Sequence, residues 1–369
     1  MKFLDILQQY KWQEVEAKIL KSTREDVERT LNSSTLSITD FMHLVSPAAE
    51  PYLEIMAQKS RELTQRRFGK TIQLYIPLYL SNICTNHCIY CGFNAENKIH
   101  RVVLNDEQIL KEVQAIKAMG YEHILLLTGE ADKVAGVNYL LNSIKLVKPY
   151  FSLISAEIQP LKTDEYKQLI GEGLNSVYVY QETYNQDRYP IYHPRGNKSN
   201  FEYRLETPER LGEANIYKTG LGALLGLENW RVEAFFMALH LQYLQKHYWR
   251  TKYSLSFPRL RPHVGEFQPN YVVTERNLAQ LIWAFRLFDE EVEISLSTRE
   301  SQKFRDNMMT LGVTSMSAGS RTDPGGYSTE KNELEQFAIN DNRTAKELEQ
   351  QIKSFGYEAV WKDWDKSLQ

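Results

Sequence analysis

Residues 71–93 read TIQLYIPLYLSNICTNHCIYCGF, and two signals meet there. The first ten residues are a β-branched and aromatic run, the composition of a strand. Three cysteines follow at once, Cys84, Cys88 and Cys91 in the spacing C-x3-C-x2-C, and the chain has no others. A loop leaving the C-terminal end of a strand lies on the ligand-binding face of both barrels and open α/β sheets. The spacing therefore gathers three thiols where such folds do their chemistry.

Outward from this stretch, strand-like and helical patterns alternate. The strand candidates are YEHILLL, FSLISAEI, LNSVYVY, IYKTGLGALLGL, KYSLSF, EVEISLS and VTSMSA. Between them run helical apolar series such as Val232, Phe235, Phe236, Leu239 and Tyr243, or Leu278, Leu281, Ile282, Phe285 and Phe288. Eight strand candidates in an alternating α/β order predict a (β/α)8 TIM-type barrel, a fold of about 250 residues. An open doubly wound sheet would alternate in the same way. Upstream, residues 1–70 read as a helical N-terminal extension, with a capping box at Ser37–Asp40 and a stop at Gly69 for a helix from about Pro51. Residues 71–320 form the expected barrel. Beyond Pro324-Gly325-Gly326, residues 321–369 form a charged tail with a helix-like stretch, DNRTAKELEQQIKSF, that packs on the barrel or on a partner.

The 369 residues carry 44 Lys+Arg against 47 Asp+Glu, a net charge of -3, so no global basic field points to nucleic acid or to an anionic membrane. With 42% hydrophobic residues and 22 tyrosines, the chain has ample material for a core. No apolar run reaches 18 residues, and Asp5, Gln8 and Gln9 interrupt the start before a signal-peptide core forms. The expected location is the cytoplasm.

Three thiolates in one loop converge on a metal centre in one of two ways. A structural zinc site needs a fourth ligand, for which His87 or His100 is at hand. A cubane iron–sulfur cluster with three cysteines leaves one iron without a protein thiolate, open to substrate or cofactor.

At this point the residues carry a resemblance. With Tyr90 before the third cysteine and Phe93 two residues after it, CTNHCIYCGF resembles the signature of radical S-adenosylmethionine (SAM) enzymes. PLYLSNICTNHCIYCGF, LLLTGE, QETY, YRLETPERLGEANI, GALLGL, SFPRLRP and WKDWD extend it along the whole chain and are similar to the aromatic amino acid lyases, the tyrosine lyases among them. The resemblance implies one [4Fe-4S] cluster on Cys84, Cys88 and Cys91, with SAM chelating the open iron and an external reductant. It also implies a barrel fold and cleavage of the Cα–Cβ bond of L-tyrosine to 2-iminoacetate and 4-methylphenol for thiamine biosynthesis. Lyases acting on L-tryptophan share the amine and carboxylate contacts, so the ring remains open. The reading from another class is a non-catalytic zinc-binding interaction module. Tyrosine lyases that build a second cluster carry further cysteines near their C-terminus, and no cysteine follows Cys91 here.

The same resemblance assigns roles along the strand ends. Phe93 packs beside cluster and adenine. Thr128, Gly129 and Glu130 meet the methionine amino group, Glu157 and Gln159 suit the ribose hydroxyls, and Arg204 holds the methionine carboxylate through a bidentate fork. Arg299 is also singled out by physics: it sits at a helix start where Ser297 would cap, and a cation there is disfavoured by the helix dipole unless an anion joins it. A substrate carboxylate is such an anion. Tyr79 and Ser317 match positions around the substrate's polar end, whereas His193 reads as a simple loop histidine. The expected partners are the thiazole synthase subunit, which takes the labile iminoacetate, and a flavodoxin-type electron donor fed from NADPH.

Overall fold

In the computed structural model, which describes residues 2–260, 267–328, 336 and 339–362, the eight strand candidates form eight parallel strands. They are β1 (Thr71–Ser81), β2 (His123–Thr128), β3 (Leu153–Glu157), β4 (Ser176–Tyr178), β5 (Lys218–Gly222), β6 (Lys252–Ser256), β7 (Glu293–Leu296) and β8 (Ser315–Ser317). Each pairs with the next, and β1 pairs with both β8 and β2. The sheet is therefore closed, which decides for the barrel over the open sheet. Register runs Ile76↔Ile124 to Tyr79↔Leu127 and then shifts before Ser81↔Thr128. That irregularity lies just where the chain turns into the cysteine loop.

The helix Trp230–His247 shows why the N-terminal extension is there. Its outer series Val232, Phe235, Phe236, Leu239 and Tyr243 is buried, but so are Ala234, Met237, Ala238, Leu241 and Leu244. A helix apolar all round needs cover on both sides. The barrel supplies one side and the first seventy residues the other, with Tyr10 against Phe235 at 5.2 Å, Trp12 stacked on Phe236 at 5.6 Å and Phe3 stacked on His240 at 3.9 Å between ring centroids. The extension is helical as expected, with the capping box at Ser37 and Asp40 formed. The helix expected from Pro51 starts at Leu53, after a 3-10 turn over Pro47–Tyr52, and ends at Gly69 with φ 68°.

The tail packs on the barrel. Its helix Ala345–Ser354 leads into a ninth strand, β9 (Glu358–Val360), that the sequence did not announce. β9 lies parallel to the first residues of β1, Thr71↔Glu358 to Gln73↔Val360. Tyr327 and Ser328 donate their N–H groups to Glu112 at 2.9 and 2.7 Å. Arg261 and Pro262 of SFPRLRP and the last three residues of WKDWD lie outside the described residues. No described helix is long and apolar enough to cross a membrane.

Candidate active site

One cavity opens at the C-terminal mouth of the barrel, and every strand, or the turn that follows it, sends a residue toward it. Cys84, Cys88, Cys91 and Phe93 line it after β1, Thr128, Gly129 and Glu130 after β2, Glu157 ends β3, and Arg204, Arg299, Ser317 and Tyr79 complete the predicted set. Gln159 is not brought here. β3 ends at Glu157, so strand alternation no longer aims residue 159 inward; Gln159 lines a separate cleft and donates to the Ala135 carbonyl at 3.2 Å.

The cysteine loop is held from both ends. Gly129 N–H donates to Ser81 O at 2.9 Å, Thr85 N–H to Glu130 O at 3.0 Å, and the backbone of Ile89 to Tyr192 O at 3.2 Å. Gly129 lies flush against this loop, where a Cβ would collide with the Ile83 carbonyl and come within 3.2 Å of Cys84 Cβ. Gly129→Ala is accordingly expected to lower stability by about 1–3 kcal/mol, the usual effect of overpacking. Thermal unfolding reads that loss, and iron incorporated per chain should fall with it because the loop is displaced.

Electrostatics divides the cavity. Arg204 is buried and donates to Glu130 Oε1 at 2.8 Å and to Tyr180 O at 2.7 Å, while Asn86 donates to the other Glu130 oxygen at 2.8 Å. Burial works against both charges, but each partner overcomes it: Glu130 stays low and Arg204 is raised. The fork expected of Arg204 is thus partly committed to protein groups. Glu130 is no helix cap, since the next helix, Val137–Val147, starts behind Gly136.

Two site residues went unread in the sequence. Glu182 lies in the QETY stretch, and its carboxylate accepts from Lys198 Nζ at 2.7 Å and lies 3.9 Å from Arg204. Its φ of 70° is rare for a residue with a side chain and costs about 1–3 kcal/mol. The following residues hold it there: Thr183 Oγ1 and Tyr184 N–H, the latter at 2.9 Å, both donate to buried Glu233. No composition signal marks a strained glutamate, and Lys198 read only as part of a loop.

Burial pushes the Glu233 carboxyl up to about 8. An acid whose pKa is raised on folding binds extra protons when folded, so its contribution is present below pH 4.5 and lost as pH rises through about 8. Glu233→Gln, which keeps the acceptor for Tyr184, should flatten the fall in stability between those pH values in denaturant titrations.

Glu157 is half-buried near Glu182, and desolvation first, then that neighbouring charge, pushes it up to about 7. Tyr79 donates to Gln336 Oε1 at 2.7 Å and meets Phe93 edge-on at 6.0 Å. Arg299 lies in a turn after β7, but Ser297 does not cap a helix there. The helix Gln302–Met309 starts later, capped by Ser301, and Ser297 Oγ only accepts from Arg299 N–H at 3.4 Å. The dipole argument therefore does not apply at Arg299, although its side chain lines the cavity, with burial pulling its charge down against Tyr79 and Glu157. His193 is no exposed loop histidine: it is fully buried, and Tyr90 OH meets its Nε2 at 2.8 Å while Nδ1 faces the Tyr189 carbonyl at 3.0 Å. Burial drops its pKa to about 2, so it is neutral and its Nε2 accepts a hydrogen bond from the Tyr90 hydroxyl.

The donor set fits an iron–sulfur cluster with a zwitterionic cofactor. Three unbridged thiols share one wall, Lys198 pulls against the burial that raises the Cys88 thiol, and Thr128 Oγ1 is buried at the cavity with no hydrogen-bond partner among the described residues. Among the described residues no three His, Cys, Asp or Glu side chains converge on a single ion, and His87 faces Glu96 at 3.1 Å instead. A cubane spreads its thiolates over different irons and needs no such convergence.

A parallel barrel whose mouth holds this cysteine triplet defines a radical SAM enzyme, and the chain matches the Radical SAM superfamily model over residues 78–238 and the Biotin and Thiamin Synthesis associated domain over 256–358. It is 47% identical over 367 residues to the 2-iminoacetate synthase of Escherichia coli (strain K12), covering 99% of this chain and 97% of that one. The chain belongs to the 2-iminoacetate synthase family of radical SAM enzymes. The FeFe-hydrogenase maturase HydG from Carboxydothermus hydrogenoformans is similar in structure, with a TM-score of 0.91 and 31% identity, over 99% of this chain and 86% of that one. Methylornithine synthase (PylB) shares the fold at a TM-score of 0.74 and 18% identity, over 91% of this chain and 97% of that one.

Proposed function

We propose that this chain cleaves the Cα–Cβ bond of L-tyrosine to 2-iminoacetate and 4-methylphenol, supplying the thiazole of thiamine. The observation that carries this reading is one cavity with three thiols after β1 and, two strands away after β7, the half-buried cation Arg299. In this reading Cys84, Cys88 and Cys91 hold three irons of a [4Fe-4S] cluster, and Phe93, Thr128, Gly129, Glu130, Glu157 and Arg204 surround SAM. When bound and reduced, that pair supplies a 5′-deoxyadenosyl radical that takes hydrogen from the substrate.

The protein's own contribution is placement and exclusion. Arg299 takes the tyrosine carboxylate, while Tyr79 and Ser317 face the substrate's polar end and fix the amino nitrogen at near-contact distance. Glu130 and Glu182 balance Lys198 and Arg204, so the cavity wall presents paired charge. The apolar side chains Leu125, Leu127 and Leu224 line the same cavity and exclude water that would quench a radical. An external reductant of flavodoxin type, fed from NADPH, and a thiazole synthase that accepts the hydrolysable product complete the reading, in the cytoplasm.

The test is anaerobic reconstitution with iron and sulfide, reduction, and incubation with SAM and either L-tyrosine or L-tryptophan. The expected result is 4-methylphenol and 5′-deoxyadenosine in equal amounts with tyrosine only. A 3-methylindole product from tryptophan, or no product from a loaded cluster, would overturn it.

A further inference from the structure

We propose that Asn340 and Asp341, outside the cavity, are positioning residues that set Arg299 and Ser317 for the substrate's polar end, an inference resting on the function proposed above. Arg299 lies in a turn, where its N–H donates to Ser297 Oγ at 3.4 Å and Glu300 N–H donates to Ser297 O at 3.4 Å. The C-terminal segment adds to these contacts. Asn340 and Asp341 donate their N–H groups to Thr298 O at 2.9 and 3.2 Å, and Asn340 Nδ2 donates to Arg299 O at 2.8 Å. Both carbonyls flanking the Arg299 amide plane are thus fixed by one segment.

The same segment reaches β8. The Asp341 carboxylate pairs with Arg305, both side chains fully buried, and Arg305 donates to the Ser317 carbonyl. Arg343 grips Asp341 from the other side at 2.6 and 2.9 Å, is anchored on Asp306 at 2.7 Å, and accepts Gly319 N–H on its carbonyl at 2.9 Å. A buried ion pair is weak evidence for stability, because desolvation offsets the attraction. Here its geometry joins the ends of β7 and β8, next to the two residues assigned to the substrate's polar end. A tail shift would move both together.

The experiment compares Asn340→Ala, Asp341→Asn and Arg299→Lys in the reconstituted enzyme. Asn340 is exposed, and its replacement removes only the amide contact while the main-chain bonds remain, so folding is not at risk. For Asn340→Ala, KM for L-tyrosine should rise about three- to tenfold, as expected for one hydrogen bond. SAM affinity should hold, 5′-deoxyadenosine should exceed 4-methylphenol, and amides 297–300 should exchange faster with solvent. Asp341→Asn should show the same pattern, more strongly. A lower Tm with unchanged KM and product ratio in both variants would reduce the segment to a structural role and overturn the inference. Should Arg299→Lys also leave KM unmoved, the pocket assignment itself fails, which separates that failure from one confined to the segment.

Discussion

Cys84→Ser, Cys88→Ser and Cys91→Ser are each expected to abolish product formation, by at least about a thousandfold, or roughly 4 kcal/mol of barrel-mouth chemistry. The size follows from the proposed ligand set, in which three thiols serve three irons, and no fourth cysteine stands in reserve. A serine hydroxyl is a far weaker acid than a thiol and a harder donor, so it does not replace a soft thiolate on iron. Stability should change little, because the substitution keeps side-chain shape. The measurement is iron and sulfide per chain with the visible spectrum of the anaerobic protein. Full cluster content in any of the three variants would remove that cysteine from the ligand set.

Arg299→Ala is expected to raise KM for L-tyrosine about a hundredfold with SAM binding intact. Truncating one partner of a desolvated charge pair costs about 2–5 kcal/mol, since the carboxylate is left buried and unmatched. Arg299→Lys recovers only part, because an ammonium keeps the charge but not the planar fork. A second consequence is a pH shift. Arg299 is among the charges that hold Glu157 down to about 7 against burial, so its loss should move any Glu157-linked limb of the pH profile upward. Steady-state kinetics across pH 6–9 reads both effects.

The contrast between what was and was not legible has a physical cause. The barrel strands are buried parallel strands, and their apolar runs announce them; β9 is three residues long and owes its place to β1, which no local pattern reports. The cysteines were legible because their spacing is itself the site, and the strand-end residues because an end of strand faces the mouth. Gln159 failed where the strand had already stopped, and Ser297 failed because Ser301 lies a turn later and caps better. Glu182 and Lys198 find each other across a loop, and His193 is buried between nearby Tyr189 and Tyr90, which lies 103 residues away in sequence. Such pairings are made by folding.

The pairing of β9 with the start of β1 also has a consequence for assembly. A chain emerging from the ribosome presents its cysteine loop early, yet Gln336 that reaches Tyr79 over the cavity, and the strand that lies beside the base of β1, are synthesised 257 and 287 residues after the positions they meet. The cavity therefore lacks this cover through most of translation, and the thiols have a window of open access before the C-terminal segment docks. Iron and sulfide are expected to meet the least hindrance during that window, which a chain cut short before Gln336 would keep open.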